Sequence, residues 1–173
     1  MSVEKDLQFY ILVDNSGSMG GGRSRLATEA MIVLYEVLTR LEIPFEYSMF
    51  TASGDHDYSE TWTYVIKALN EDPDIRRKYL GMSDQQIARN YQPLADYMLF
   101  HGNQEDNNVF HIHKRMKQWS SKNKVLMVLC DGGTCGSGGP SRLKKITEVA
   151  EEEDGIYVLG VGLQADISRL YPH

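Results

Sequence analysis

The sequence is poor in cysteine: two in 173 residues, not in a CxxC pair. A disulfide framework or a zinc ribbon is therefore excluded as the basis of the fold. Long apolar runs are also missing, and nothing approaches the roughly 20 residues that span a bilayer. Residues 1–10, MSVEKDLQFY, lack a basic start followed by an apolar stretch, so they are not a signal peptide. Positive charge is in short supply. Eighteen Lys and Arg stand against 24 Asp and Glu, a formal net charge of −6. That balance argues against nucleic acid or an anionic membrane as the partner. Two thiols without an export signal are read as reduced, and the expected location is the cytoplasm. Proline is sparse, and 42% of the residues are hydrophobic, so one sizeable core is expected in a single domain over residues 1–173.

What is present is an alternation of apolar runs and amphipathic stretches. Residues 8–14 (QFYILVD) read as a strand buried on both faces and ending in an acid. A Gly/Ser loop follows to residue 23. Residues 24–41 have helical periodicity, with Leu26, Ala30, Val33, Leu34, Val37, Leu38 and Leu41 on one face and Arg25, Glu29, Glu36 and Arg40 opposite. A strand is expected at 45–51 and an outer strand at 61–69, where β-branched and aromatic residues gather. Residues 70–105 are broken by Pro73, Gly81, Pro93 and Gly102 into short helical pieces, at 84–90 and 94–100. A helix is expected at 106–119 and a second buried strand at 124–131 (KVLMVLCD). After a Gly-rich loop, a helix is expected to start at Ser141, capped by its hydroxyl. A last buried strand fits 155–163 (GIYVLGVGL), and 167–171 reads as the start of a closing helix. The alternation predicts an α/β fold, a mostly parallel sheet covered on both faces.

Two of these strands end in aspartate followed by a Gly/Ser loop. In Asp14-Asn15-Ser16-Gly17-Ser18 an acid is followed by hydroxyls two and four residues on, and Asp131 adds a second carboxylate. All are hard oxygen donors, the ligands that Mg²⁺ takes in near-octahedral geometry while keeping several waters. Asp14, Ser16, Ser18 and Asp131 are therefore the candidate metal ligands, for Mg²⁺ or Mn²⁺. A plain Asx turn capping the next helix is the structural alternative. A nucleotide reading competes as well. Gly17 to Ser24, GSMGGGRS, differs from the P-loop pattern GxxxxGK[ST] by one residue, with Arg23 in the lysine position. Arginine is a poor substitute for a compact ammonium in a phosphate cradle. That reading also leaves Asp14 and Ser16 without a role.

DNSGSM resembles the DxSxS signature of von Willebrand factor A (VWA) domains, whose metal-ion-dependent adhesion site also uses an aspartate at the end of the fourth strand, here Asp131. More closely, ILVDNSGSMGG, MFT, ARNY, HKRM, KVLMVLCDG and VLGVGLQADISRLY, in order along the chain, resemble the C-terminal VWA domain of the accessory subunit of aerobic cobaltochelatase. The resemblance implies a Rossmann-like sheet with an antiparallel edge strand and helices on both faces. It implies a protein partner, an AAA+ ATPase of the cobaltochelatase or MoxR type, and a partner carboxylate that completes the metal's coordination. The domain would then be an accessory component of an ATP-dependent metal chelatase complex and not catalytic by itself. One departure stands out. VWA domains bring a threonine to the metal from the loop before the long central helix, and residues 102–107 (GNQEDN) contain none. Glu105 or Asp106 is the candidate replacement, with helix N-capping as the alternative for Asp106. A final strand and helix of the family fold are expected to be missing.

Weaker signals point elsewhere and are set aside. His111 and His113 stand about 200° apart around a helix and cannot chelate one ion. Both are expected to be exposed or partly packed. Cys130 reads as a core residue. Residues 151–154 (EEED) read as a solvated helix end. Ser16 lacks the GxSxG context of a hydrolase nucleophile.

Overall fold

A computed structural model of the chain describes residues 6–54, 59–71, 102–133, 138–171 and 173. The helical pieces expected at 84–90 and 94–100, and Cys135, lie outside the described residues. In chain order the elements are β1 (Leu7–Asp14), a 3-10 turn (Gly17–Met19), α1 (Gly22–Arg40), β2 (Phe45–Ala52), β3 (Thr61–Lys67), α2 (Glu105–Met116), β4 (Asn123–Cys130), α3 (Gly139–Glu152) and β5 (Ile156–Gly162). They build one five-stranded sheet in the order β3-β2-β1-β4-β5. All neighbouring pairs are parallel except β2–β3, so the sheet has one antiparallel edge strand, as expected.

β1 lies at the centre because it is apolar on both faces. Tyr10 and Leu12 point into a core shared with α2 and α3, and Ile11 and Val13 into a second core under α1. All four are fully buried. Burial of such side chains is worth roughly 1.5–3 kcal/mol each, which makes β1 the strand the sheet is organised around. The chain leaves β1 for β2 on one side and returns as β4 on the other. The carboxyl ends of β1 and β4 therefore flank the crevice where open α/β sheets place their ligands. Asp14 and Asp131 stand at that crevice.

Four local expectations are corrected. The buried residues of α1 are Ala27, Met31, Tyr35 and Leu38, whereas Leu26, Val33, Val37 and Leu41 remain exposed. The apolar arc of α1 covers nearly half its circumference, and periodicity does not say which part of so wide an arc meets the sheet. Tyr35 decides it, with its ring edge-on to Phe45 at 5.2 Å. α3 begins at Gly139, not Ser141, with Pro140 in its first turn and no side-chain cap. Proline's fixed φ and missing N–H suit that position. His113 is buried and bonds Asp154 at 2.6 Å, and Lys117 reaches the same carboxylate at 2.9 Å, so the acidic end of α3 is tied to α2. Residues 167–171 form a turn, not a helix, and bring Tyr171 back onto β5.

That return is close. A Cβ on Gly160 would stand 2.6 Å from the Tyr171 ring. Gly160→Ala is expected to cost about 1–3 kcal/mol, the usual range for overpacking. In urea unfolding, the loss should be non-additive with that of Tyr171→Leu. Additive losses would show that the two residues do not press on each other.

Candidate metal centre

The Asp14–Ser18 loop folds the way its residue types dictate. Asp14 Oδ1 accepts the backbone N–H of Ser16 at 2.8 Å, an Asx-type turn that aims the following hydroxyls back toward the strand end. The Ser16 and Ser18 hydroxyls are 3.1 Å apart. Backbone bonding through the 3-10 turn, Met19 N–H to the Ser16 carbonyl, holds that spacing. The Asx turn and the convergent hydroxyls are thus the same structure, and the two readings of the sequence are compatible.

The second strand end closes against the first. Asp131 Oδ1 accepts the Gly133 N–H at 3.2 Å. A Cβ on Gly133 would lie 3.3 Å from Asp131 Oδ1 and 3.9 Å from Ser18 Oγ, so a side chain here would fill the space between the two loops. Arg23 bridges them: its Nη1 donates to Asp131 Oδ2 at 3.0 Å and to the Ser18 carbonyl at 2.9 Å. The metal reading of the sequence gives Arg23 no role. The structure instead places it on a candidate ligand, where no sequence signal announced it. That contact also engages the side chain that a P-loop would need for phosphate.

The third wall is the start of α2. Asn103, which sequence reasoning missed, donates from Nδ2 to Asp14 Oδ2 at 2.9 Å and accepts the Glu105 N–H on Oδ1 at 2.9 Å. It ties the strand-end acid to the first turn of the helix. Glu105 is fully buried. Its Oε1 accepts the Tyr171 hydroxyl at 2.5 Å, while its Oε2 has no hydrogen-bond partner. Asp106, the other candidate from this loop, turns away to Arg142 on α3 at 2.8 Å. It is not the N-cap, since Gln104 holds that position. Cys130, fully buried at the end of β4, packs in the core beneath, as expected of a small apolar side chain.

Burial and like charge set the electrostatics. Burial, then the Glu105 carboxylate, push the Asp14 pKa up to about 8, against the lowering effect of the Ser16 N–H. Burial also raises Glu105, partly offset by its bond from Tyr171. Among the described residues no three acidic, imidazole or thiol side chains cluster as a cage for a metal. A cation here would rest on paired carboxylates and hydroxyls. The donors suit such an ion: hard oxygens throughout, raised carboxylate pKa values that an added positive charge would lower, and one buried carboxylate oxygen without a partner.

The sign of the pH dependence follows. An acid whose folded pKa lies above its unfolded value holds its proton longer when folded, so stability declines as pH rises between the two values. The metal-free protein is expected to lose melting temperature between about pH 4 and pH 8. Asp14→Asn should flatten that decline in a thermal series without metal. An unchanged slope would remove Asp14 as its source.

With this geometry in view, comparisons place the chain. Residues 4–173 match the family model described as the cobalamin biosynthesis protein CobT VWA domain. Comparison with curated proteins gives no match. Among solved structures, the chain is similar to the manganese-loaded TRAP protein of Plasmodium vivax, at 14% identity and a TM-score of 0.61, covering 94% of this chain and 60% of that one. It is similar to BatB of Bacteroides thetaiotaomicron, at 13% identity and a TM-score of 0.58, covering 90% and 66%. It is also similar to proximal thread matrix protein 1 of the mussel byssus, at 14% identity and a TM-score of 0.61, covering 95% and 39%. The chain thus spans less than two thirds of each of these proteins, and at such identities the likeness is one of fold, the Rossmann-like VWA arrangement. No helix among the described residues is long and apolar enough to cross a membrane. Over nearly its whole length, the chain belongs to the family of CobT-type VWA domains.

Proposed function

We propose that this domain is a metal-dependent protein-binding module in which Asp14, Ser16, Ser18 and Asp131 hold one Mg²⁺ or Mn²⁺ that grips a carboxylate of a partner. The observation that carries this reading is the meeting of the two loops: hydroxyls 3.1 Å apart on one, and on the other a carboxylate that Arg23 ties to the Ser18 carbonyl. Glu105 stands behind this set. We assign to it, and not to the Arg142-bound Asp106, the place of the family's threonine, because its buried carboxylate lies close enough to Asp14 to raise that acid's pKa. Asn103 orients Asp14 and leaves its charge available. A bound divalent ion would supply a Lewis-acidic docking point for an anionic oxygen. The chemistry proposed for the site is gripping and not turnover. A neighbour of the same fold is manganese-loaded, which supports a divalent ion for this domain. The family match supports a setting in cobalamin biosynthesis; the partner proposed there is the one the sequence resemblance implies, an AAA+ ATPase of the cobaltochelatase or MoxR type, with the domain as accessory component of a metal chelatase complex.

Ligation is tested by melting temperature. At a hundredfold excess over its dissociation constant, Mg²⁺ or Mn²⁺ would stabilise the fold by about 2.7 kcal/mol, or about 5–10 °C for a domain of this size. Asp14→Ala should abolish the shift, and a shift that survives would put the metal elsewhere. Arg23→Ala tests its contact with Asp131: metal affinity should change by tenfold or more. An effect below threefold would return Arg23 to a bystander's role.

The grip is tested by co-purification with the ATPase partner in Mg²⁺ and in EDTA. EDTA, or Asp131→Ala, should release the partner while the far-ultraviolet circular dichroism stays native. Equal recovery in EDTA would show that the metal does not carry the interaction. ATP binding by the isolated domain would instead favour the P-loop reading.

A further inference from the structure

Arg23 stands in the first turn of α1, and its polar contacts among the described residues all belong to the metal centre. Nη1 donates to Asp131 Oδ2 at 3.0 Å and to the Ser18 carbonyl at 2.9 Å. Both bonds run through that one nitrogen, and among the described residues neither Nε nor Nη2 makes another. The pair of Arg115 with Glu46 is built differently. There Nη2 and Nε close on both carboxylate oxygens, each at 3.0 Å. A two-pronged pair of guanidinium and carboxylate is the stronger form. Arg23 holds Asp131 by a single prong, and its side chain is 35% exposed where that of Asp131 is 3%. Gly20, Gly21 and Gly22 precede it, so no side chain from that stretch crowds the guanidinium.

This pair puts a positive charge where a cation would bind. Asp131 Oδ1 accepts the Gly133 N–H and Oδ2 holds Arg23, so the carboxylate is matched inside the protein. A divalent ion on Asp131 and Ser18 would share both residues with the guanidinium. Mg²⁺ sits about 2.1 Å from its ligands, closer than the 3.0 Å of Arg23 Nη1. Twice the charge at shorter range favours the ion, and the two cations repel. Arg23 would then lose its counterion while standing at the rim of the sheet beside the ion. The guanidinium fork matches both oxygens of a carboxylate. Resting on the metal-dependent grip proposed above, we infer that Arg23 is the residue that reads the partner's acid. It leaves Asp131 when a divalent ion claims that carboxylate, and holds the partner carboxylate that the ion grips. In the empty domain Asp131 competes with any outside acid for Arg23, so recognition of the acid waits for the metal.

Two substitutions in the full chain test this, Arg23→Gln and Arg23→Lys, with far-ultraviolet circular dichroism as the check of fold. Mn²⁺ affinity is read by calorimetry. The carboxylate probe is N-acetylglutamate α-amide, and its neutral twin is N-acetylglutamine α-amide. Binding is followed by the broadening that protein-bound Mn²⁺ causes in the probe's side-chain methylene signals. Arg23→Gln should raise Mn²⁺ affinity at least tenfold, because the competing cation is gone. At Mn²⁺ saturation it should weaken the acidic probe at least tenfold. Arg23→Lys keeps the charge without the fork, so it should leave Mn²⁺ affinity within threefold and still weaken the probe. A residue that only braced the two loops would lower both affinities together. The inference is overturned if Mn²⁺ affinity in Arg23→Gln falls or stays within threefold. It is equally overturned if the acidic probe fails to bind the Mn²⁺-loaded unmodified protein, binds no better than its twin, or ignores the substitution. In each of those cases Mn²⁺ still binds and the metal reading stands. Unmodified protein that binds no Mn²⁺ would overturn the metal reading itself, and this inference with it.

Discussion

Two carboxylates that would rather be in water are held out of it at one end of this sheet. Asp14 is 1% exposed and Glu105 fully buried, and each raises the cost of ionising the other. Much of the surrounding structure is arranged to keep them there. β1 carries Asp14 to the switch point between β2 and β4, and Asn103 links its side chain to the helix that carries Glu105. Tyr171 turns back across Gly160 to cap Glu105 from the far side. Each contact satisfies one lone pair, yet none supplies a full positive charge to the two acids. Arg23 gives such a charge only to Asp131, at the rim. A buried cluster of this kind costs stability, and the divalent ion proposed for it would relieve that cost.

The parts of this plan that depend on local pattern were legible in the sequence. Continuous apolar runs marked β1, β4 and β5 to within one or two residues, because a strand buried on both faces has no polar alternation to confuse it. The DxSxS spacing and the aspartate after β4 gave four candidate ligands, and the structure sets their two loops in contact. What could not be read depends on which surfaces meet. Leu26 and Leu38 lie on one wide apolar arc, about 120° apart around the helix, but of the two only Leu38 is buried. His113 and Asp154 are 41 residues apart, and nothing local in either announces the bond between α2 and α3. Asn103 and Arg23 are ordinary loop and helix-start residues until the fold brings Asp14 and Asp131 beside them.

The central position of β1 has a consequence for how the domain comes into being. β1 is made first, but its partner on one side, β4, begins more than a hundred residues later, with Leu7 paired to Asn123. Parallel pairing across that distance cannot begin until most of the chain exists, and contacts so remote in sequence slow folding. As the chain leaves the ribosome, β1 is an apolar strand with one edge unclaimed, the form in which newly made proteins most readily stick to one another. The pair Asp14 and Asp131 comes together only when β4 docks. The cation site proposed here is therefore incomplete in a partly made chain, and holding a cation there would mark a domain whose sheet has closed.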